Sequence, residues 1–162
     1  MKILVLNKFC PLHPMAGGAE KNLLELFSRI GATDEVTLLS AMFPGAPRTE
    51  TYRNIRIVRF GSPRSENVIR IHLMLPFLAR KYAKTLGADV IVEDMSVLPF
   101  FTPLVCARMK RVVLVHHLNG TQFFGSQKLP YAVIGYLAEK LFLLLYKKET
   151  VVTVSDWMTK TL

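Results

Sequence analysis

The sequence predicts an α/β fold, a doubly wound and mostly parallel sheet with helices on both faces, Rossmann-like in outline. Three observations carry the prediction. Short apolar runs rich in β-branched residues recur from residues 3–6 to residues 151–154, and uninterrupted runs of that kind suit strands covered on both faces. Longer stretches with apolar residues at helical spacing lie between the runs, the alternation that crossovers of a parallel sheet require. The adjacent glycines Gly17 and Gly18 separate the first run from the first helical stretch. They leave bare backbone N–H groups at the positive end of a helix dipole, where an anion is favoured.

Taken in order, Ile3, Leu4, Val5 and Leu6 form the first strand, and Leu23, Leu24, Phe27 and Ile30 mark the first helix, with Gly31 as its stop. Residues 35–40 read as a second strand, after which Pro44, Gly45 and Pro47 impose a loop. Residues 55–60 alternate only partly, which places a third strand nearer a sheet edge. A long helix is expected from about Glu66 to Leu86, ended by Gly87 and kinked or divided by Pro76. Its Arg70, Arg80, Lys81 and Lys84, with Arg64 just before, interleave with Ile69, Ile71, Leu73, Leu75, Phe77 and Leu78. That pattern fits either a surface-seeking amphipathic helix or a solvated face on a packed one.

Residues 89–92 form a fourth strand tipped by Glu93 and Asp94, and a helix over residues 97–109 tolerates Pro99 and Pro103 in its early turns. Residues 111–115 are a fifth strand tipped by His116 and His117, followed by a polar loop over residues 119–127. Residues 130–148 are almost wholly apolar, but Glu139 and Lys140 stand at the middle, and a charge at a bilayer centre is costly. A buried or interfacial helix is therefore expected rather than a membrane span. Residues 151–154 make a sixth strand, and Ser155 and Asp156 are positioned to cap a following helix.

A chain of 162 residues has room for one domain with a substantial core, and its 51% hydrophobic content excludes a disordered chain. The formal charge of +9 suits a solvated basic surface, an anionic membrane, a nucleic acid or a phosphorylated substrate. Cys10 and Cys106 lie far apart, outside any Cys-x-x-Cys, as buried thiols in a reducing cytosol would. The first apolar run is too short for a signal-peptide core. A cytoplasmic chain, peripheral at the inner face of a membrane if the basic charge serves that purpose, is the expectation.

Gly-x-Gly-x-x-Gly and Gly-x-x-x-x-Gly-Lys-Ser/Thr are both missing, which argues against a nicotinamide dehydrogenase and a P-loop nucleotidase. Glu93 and Asp94 fall at the carboxyl end of a strand, where open α/β sheets bind ligands. They can orient hydroxyls or serve as a base, or else pair with Arg111 or cap the next helix. His116 and His117 occupy a similar strand end, but neighbours on a strand face opposite ways, so one site is not expected to use both. The same argument disfavours a metal site there, and none is expected. Scattered aromatics and the lack of a helix-turn-helix pattern give no reason to expect nucleic acid.

Several of these pieces together resemble the N-terminal domain of family 4 glycosyltransferases, retaining sugar-nucleotide enzymes of the GT-B fold. The matching residues are the first strand, Pro14-Met-Ala-Gly17-Gly18-Ala19-Glu20 opening the first helix, Asp89-Val-Ile-Val, Val112-Val-Leu-Val-His116-His117-Leu, and Glu139 ahead of Val152-Thr-Val-Ser155. The similarity runs over nearly the whole chain. It implies an acceptor-side domain that helps transfer a sugar from a nucleotide-diphosphate donor to a glycan, lipid-linked or small-molecule acceptor. It also implies that Gly17, Gly18, Ala19 and Glu20 meet the donor, and that His116 lies near the transferring sugar. No cofactor beyond the donor substrate is implied. Most of the donor site belongs to a second domain with a Glu-x7-Glu signature, which residues 1–162 do not supply, so this chain alone is expected to be inactive. The rival reading is a non-catalytic Rossmann-like module, or one subunit of a split enzyme, that needs a partner chain.

Overall fold

The computed structural model describes residues 1–63, 68–95 and 98–155. The starts of the helices expected at Glu66 and Val97, and the cap at Asp156, lie outside the described residues. Seven strands among the described residues form one sheet: β1 (Lys2–Leu6), β2 (Glu35–Ala41), β3 (Thr49–Tyr52), β4 (Ile55–Phe60), β5 (Val90–Met95), β6 (Arg111–Val115) and β7 (Thr150–Thr153). Their order is β3-β4-β2-β1-β5-β6-β7, and every pairing is parallel except β3 on β4. This is the doubly wound α/β sheet that the apolar runs predict. Central β1 is buried from Ile3 to Leu6, as a strand covered on both faces must be.

The helices are α1 (Gly18–Ile30), α2 (Val68–Leu86), α3 (Thr102–Val105), α4 (Phe123–Ser126) and α5 (Leu129–Leu145). On one face, Leu23 and Phe27 of α1 pack on Ile3, Val5, Leu38, Ile57 and Val92. On the other, Leu75, Ala79 and Ala83 of α2 pack on Leu4, Leu6, Leu39, Val58 and Ile91. Phe142 of α5 covers Met95, Val113 and Val115 on that same second face. Each such large apolar side chain contributes about 1.5–3 kcal/mol through burial. The reversal of direction at β1, with β2 on one side and β5 on the other, opens the crevice at the strands' carboxyl ends where this class of sheet binds ligands.

Four local differences from expectation have identifiable causes. Residues 55–60 lie near the sheet edge as expected, but an unforeseen strand, β3, pairs antiparallel outside them through a two-residue turn at Arg53 and Asn54, both with positive φ (46° and 67°). Helix α2 is continuous through the buried Pro76 rather than divided there. The helix expected at residues 97–109 shrinks to α3, because Phe101 takes a left-handed conformation (φ 57°) and the Phe100 and Thr102 N–H groups bond to the Glu93 carboxylate instead of to helical carbonyls. The polar loop holds a 3-10 turn (Gly120–Gln122) and the single-turn α4, pinned by Glu139, which accepts the N–H groups of Asn119 and Gly120, each at 2.7 Å.

Candidate functional site

The carboxyl ends of β1, β5 and β6 converge on the N-terminus of α1. Gly17 is the N-cap residue in an extended conformation (φ −112°, ψ −151°), and its N–H donates to Glu20 Oε2 at 2.7 Å. The carboxylate of Glu20 thus folds back on its own helix and is itself buried. Beyond it, the N–H groups of Gly18 and Ala19 have no protein acceptor among the described residues, as the open first turn of a helix leaves them. A side chain built at Gly18 would meet nothing within 4 Å, and one at Gly17 only Glu20 Oε2 at 3.6 Å. Neither glycine has a positive φ. Backbone strain and internal packing therefore do not demand glycine here, and the bare surface is open to something outside the domain.

Asp94, at the end of β5, is fully buried and accepts from Asn7 Nδ2 at 2.8 Å. Its other oxygen lies 2.6 Å from His116 Nε2, at the short end for a charge-assisted bond. Burial alone would lower the His116 pKa, but the hydrogen bond and charge of Asp94, helped by Glu20, raise it overall. For Asp94 burial acts the other way and raises the pKa, with Glu20 adding to it and His116 and Asn7 pulling it back. The pair therefore holds one proton to higher pH than a free imidazole does. Glu20 is near enough for its charge to act on both members. It also acts on Lys8, a half-buried ammonium 4.3 Å from the Phe9 ring centroid, whose pKa burial lowers.

The remaining sequence candidates separate from this cluster. Glu93 points to the opposite face of β5 and is fully buried. It accepts from the Phe100 N–H (2.6 Å), the Thr102 N–H and hydroxyl (3.4 and 2.6 Å) and the Tyr146 hydroxyl (2.8 Å). Burial raises its pKa. It caps the start of α3, one of the alternatives expected for it, and does not share the Asp94 site. His117 is exposed and His116 is the histidine that meets Asp94, the alternation expected of an extended segment. Arg111 pairs with Glu149 (2.6 Å) and with neither acid of β5. No cluster of His, Cys, Asp and Glu capable of holding a metal occurs among the described residues. Cys10 and Cys106 are both buried free thiols.

Sequence reasoning missed Asn7 and Lys8, because neither residue type is a signal until β1 is known to end against α1. It also missed a buried polar row in register across the sheet, in which Ser40 of β2 stands beside Arg59 of β4. Asn7 continues the row, its N–H bonded to the Leu39 carbonyl at 3.2 Å. Asn7 Oδ1, Ser40 Oγ and Arg59 Nε are buried without a partner among the described residues. A separate groove of about 680 Å³ between α1 and β6 is lined largely by Leu26, Phe27, Ile30, Val92, Val112 and Leu114. It lies away from the Asp94 cluster.

Comparison with curated protein sequences returns no match. Among solved structures, a sucrose-phosphate synthase from Thermosynechococcus elongatus superposes with a TM-score of 0.57 at 14% identity over 95% of this chain and 48% of that one. A dTDP-glucose 4,6-dehydratase from Bacillus anthracis, in complex with NAD, gives 0.51 at 14% identity over 94% and 53%. Likeness at that identity establishes the Rossmann-like α/β architecture, and the chain spans about half the length of either structure. The family comparison is more specific: residues 16–162, from just ahead of the two glycines onward, match Glycosyltransferase Family 4, and the chain belongs to that family.

Proposed function

We propose that this glycosyltransferase-family domain forms the acceptor side of a sugar-transfer site, working with a nucleotide-diphosphate sugar held largely by a second lobe. The observation that carries the reading is the convergence of the open Gly18 and Ala19 N–H groups with the Asp94–His116 pair, both within reach of the Glu20 charge. In this reading the N–H groups and the α1 dipole stabilise negative charge growing on the leaving phosphate. Lys8 adds a positive charge at the same rim. His116, oriented by Asp94, which strengthens its hold on a proton, donates a hydrogen bond to a sugar hydroxyl or to developing charge. The product is a glycan, lipid-linked or small-molecule glycoside, formed with retention.

The test supplies the second lobe as a separate polypeptide carrying the Glu-x7-Glu signature and offers a panel of nucleotide sugars. Transfer that appears only when both chains are present, and is lost in His116→Gln, is the expected result. Association of the two chains without transfer from any donor would overturn the catalytic reading in favour of a binding module.

A further inference from the structure

We propose that the sheet face carrying α2 and α5 is a docking surface for an anionic lipid bilayer, on which the domain lies without crossing it. The inference goes beyond sugar transfer and does not depend on it. Both helices cover the same side of the sheet, since α2 packs on Ile91 and α5 on Met95, two residues that share one face of β5. Surface helices ordinarily turn charged residues outward, as α1 does with Lys21, Glu25 and Arg29. The other two add large apolar side chains to that outward face. On α2, Leu73 and Phe77 are 66% and 65% exposed; on α5, Leu137, Leu141 and Leu144 are 57%, 44% and 61% exposed. The buried positions of α5 (Ala132, Gly135, Glu139 and Phe142) fall on the side away from those leucines.

Charge on this face has one sign. Arg80, Lys81 and Lys84 flank Leu73 and Phe77, while Lys128, Lys140 and Lys147 flank the α5 leucines, and all six are exposed. Between Val68 and Lys148 the acids are Asp89, Glu93, Asp94 and Glu139. Three of these are buried, and Asp89 lies at the opposite, amino edge, accepting the Lys2 N–H at 2.7 Å. No exposed carboxylate therefore stands on α2, α3, α4 or α5 among the described residues. A second copy of this chain would set like charges against one another across a two-fold contact. Nucleic acid would leave the leucines in water. An anionic bilayer takes both components, apolar side chains at the acyl boundary and ammonium or guanidinium groups among the headgroups. No described helix is long and apolar enough to span it.

Co-sedimentation with phosphatidylglycerol–phosphatidylcholine vesicles, against phosphatidylcholine alone, tests this at low and physiological salt. Binding is expected to the anionic vesicles, weakened by salt. Partitioning should fall about tenfold or more in Phe77→Glu/Leu137→Glu/Leu144→Glu. These side chains are exposed, so unchanged thermal unfolding by circular dichroism is the expected control; should that variant unfold early, Lys140→Glu/Lys147→Glu serves instead, reducing binding to anionic vesicles only. No pelleting of the folded protein with anionic vesicles overturns the proposal. So does light scattering that finds a dimer dissolved by the leucine changes while vesicles fail to bind, which assigns the face to a second copy.

Discussion

Around Glu93 every hydrogen-bonding position is filled from within the domain, whereas the network around Asp94 leaves Asn7 Oδ1 buried without a partner among the described residues and runs on to a titrating imidazole, His116. The two acids are consecutive on β5 and both are buried. Strand alternation sends one to the α3–α5 side and the other to the α1 side. On the first side Phe100, Thr102 and Tyr146 close over the carboxylate, and burial together with the Glu93 charge raises the Tyr146 phenol far above its ordinary range. On the second, Asn7 supplies one bond and the His116 imidazole, its side chain 9% exposed, supplies the other. A carboxylate enclosed by four donors of its own domain holds structure together; one paired with an imidazole shares a proton with it.

Truncation should separate the two acids most sharply. Glu93→Ala leaves two N–H groups and two hydroxyls buried without an acceptor, an expected loss of about 3–5 kcal/mol in urea unfolding. Glu93→Gln should lose less. Were these variants instead stable and defective only in transfer, the division drawn here would collapse. At Asp94 the pattern should reverse. Asp94→Asn keeps its neighbours and is expected to cost about 1 kcal/mol of stability, while transfer by the two-lobed enzyme falls about a hundredfold.

His116 binds its proton more tightly in the folded chain than at its ordinary value of 6.5. Its contribution to stability is therefore complete below that value and fades as pH rises through the raised folded pKa. The difference in unfolding midpoint between the parent chain and His116→Gln should be widest below the ordinary imidazole value and narrow as pH rises above it. A difference that widens with pH would contradict the assigned pairing.

The smallest effect on stability is expected at the helix start. Gly18→Ala introduces a methyl group into open space at the first position of α1, where losing glycine's unfolded-state freedom stabilises by about 0.4–1 kcal/mol. The same methyl group should weaken nucleotide-sugar binding by about tenfold if a phosphate or sugar seats on those N–H groups. Stabilisation with unchanged donor binding would leave the glycines without a ligand role.

The central strands were legible because Ile3, Leu4, Val5 and Leu6 admit no polar interruption, and the Gly17–Gly18 break fell where α1 starts. Strand β3 was not, since its turn uses Arg53 and Asn54 in place of the glycine that normally announces a two-residue hairpin. The shortness of α3 depended on a contact seven residues away in sequence, Glu93 capturing the Phe100 N–H, which no local pattern encodes. The alternation that separates His116 from His117 also separates Glu93 from Asp94. Which side of β5 faces the crevice, however, follows only from where α1 lies. Lys8 and Asn7 gained meaning from register and proximity, which are properties of the folded sheet alone.

The bond from Tyr146 to Glu93 joins positions 53 residues apart. Together with the bonds from Phe100 and Thr102 it gathers two stretches, residues 100–102 and the end of α5, onto one carboxyl group, so neither can loosen without disturbing the other. The carboxyl-terminal third should accordingly open as one cooperative block, with the amides of residues 100–105 and 142–146 exchanging with solvent deuterium at a common rate. A protease that nicks the segment between residues 119 and 128 would then leave two fragments that stay together until that block gives way.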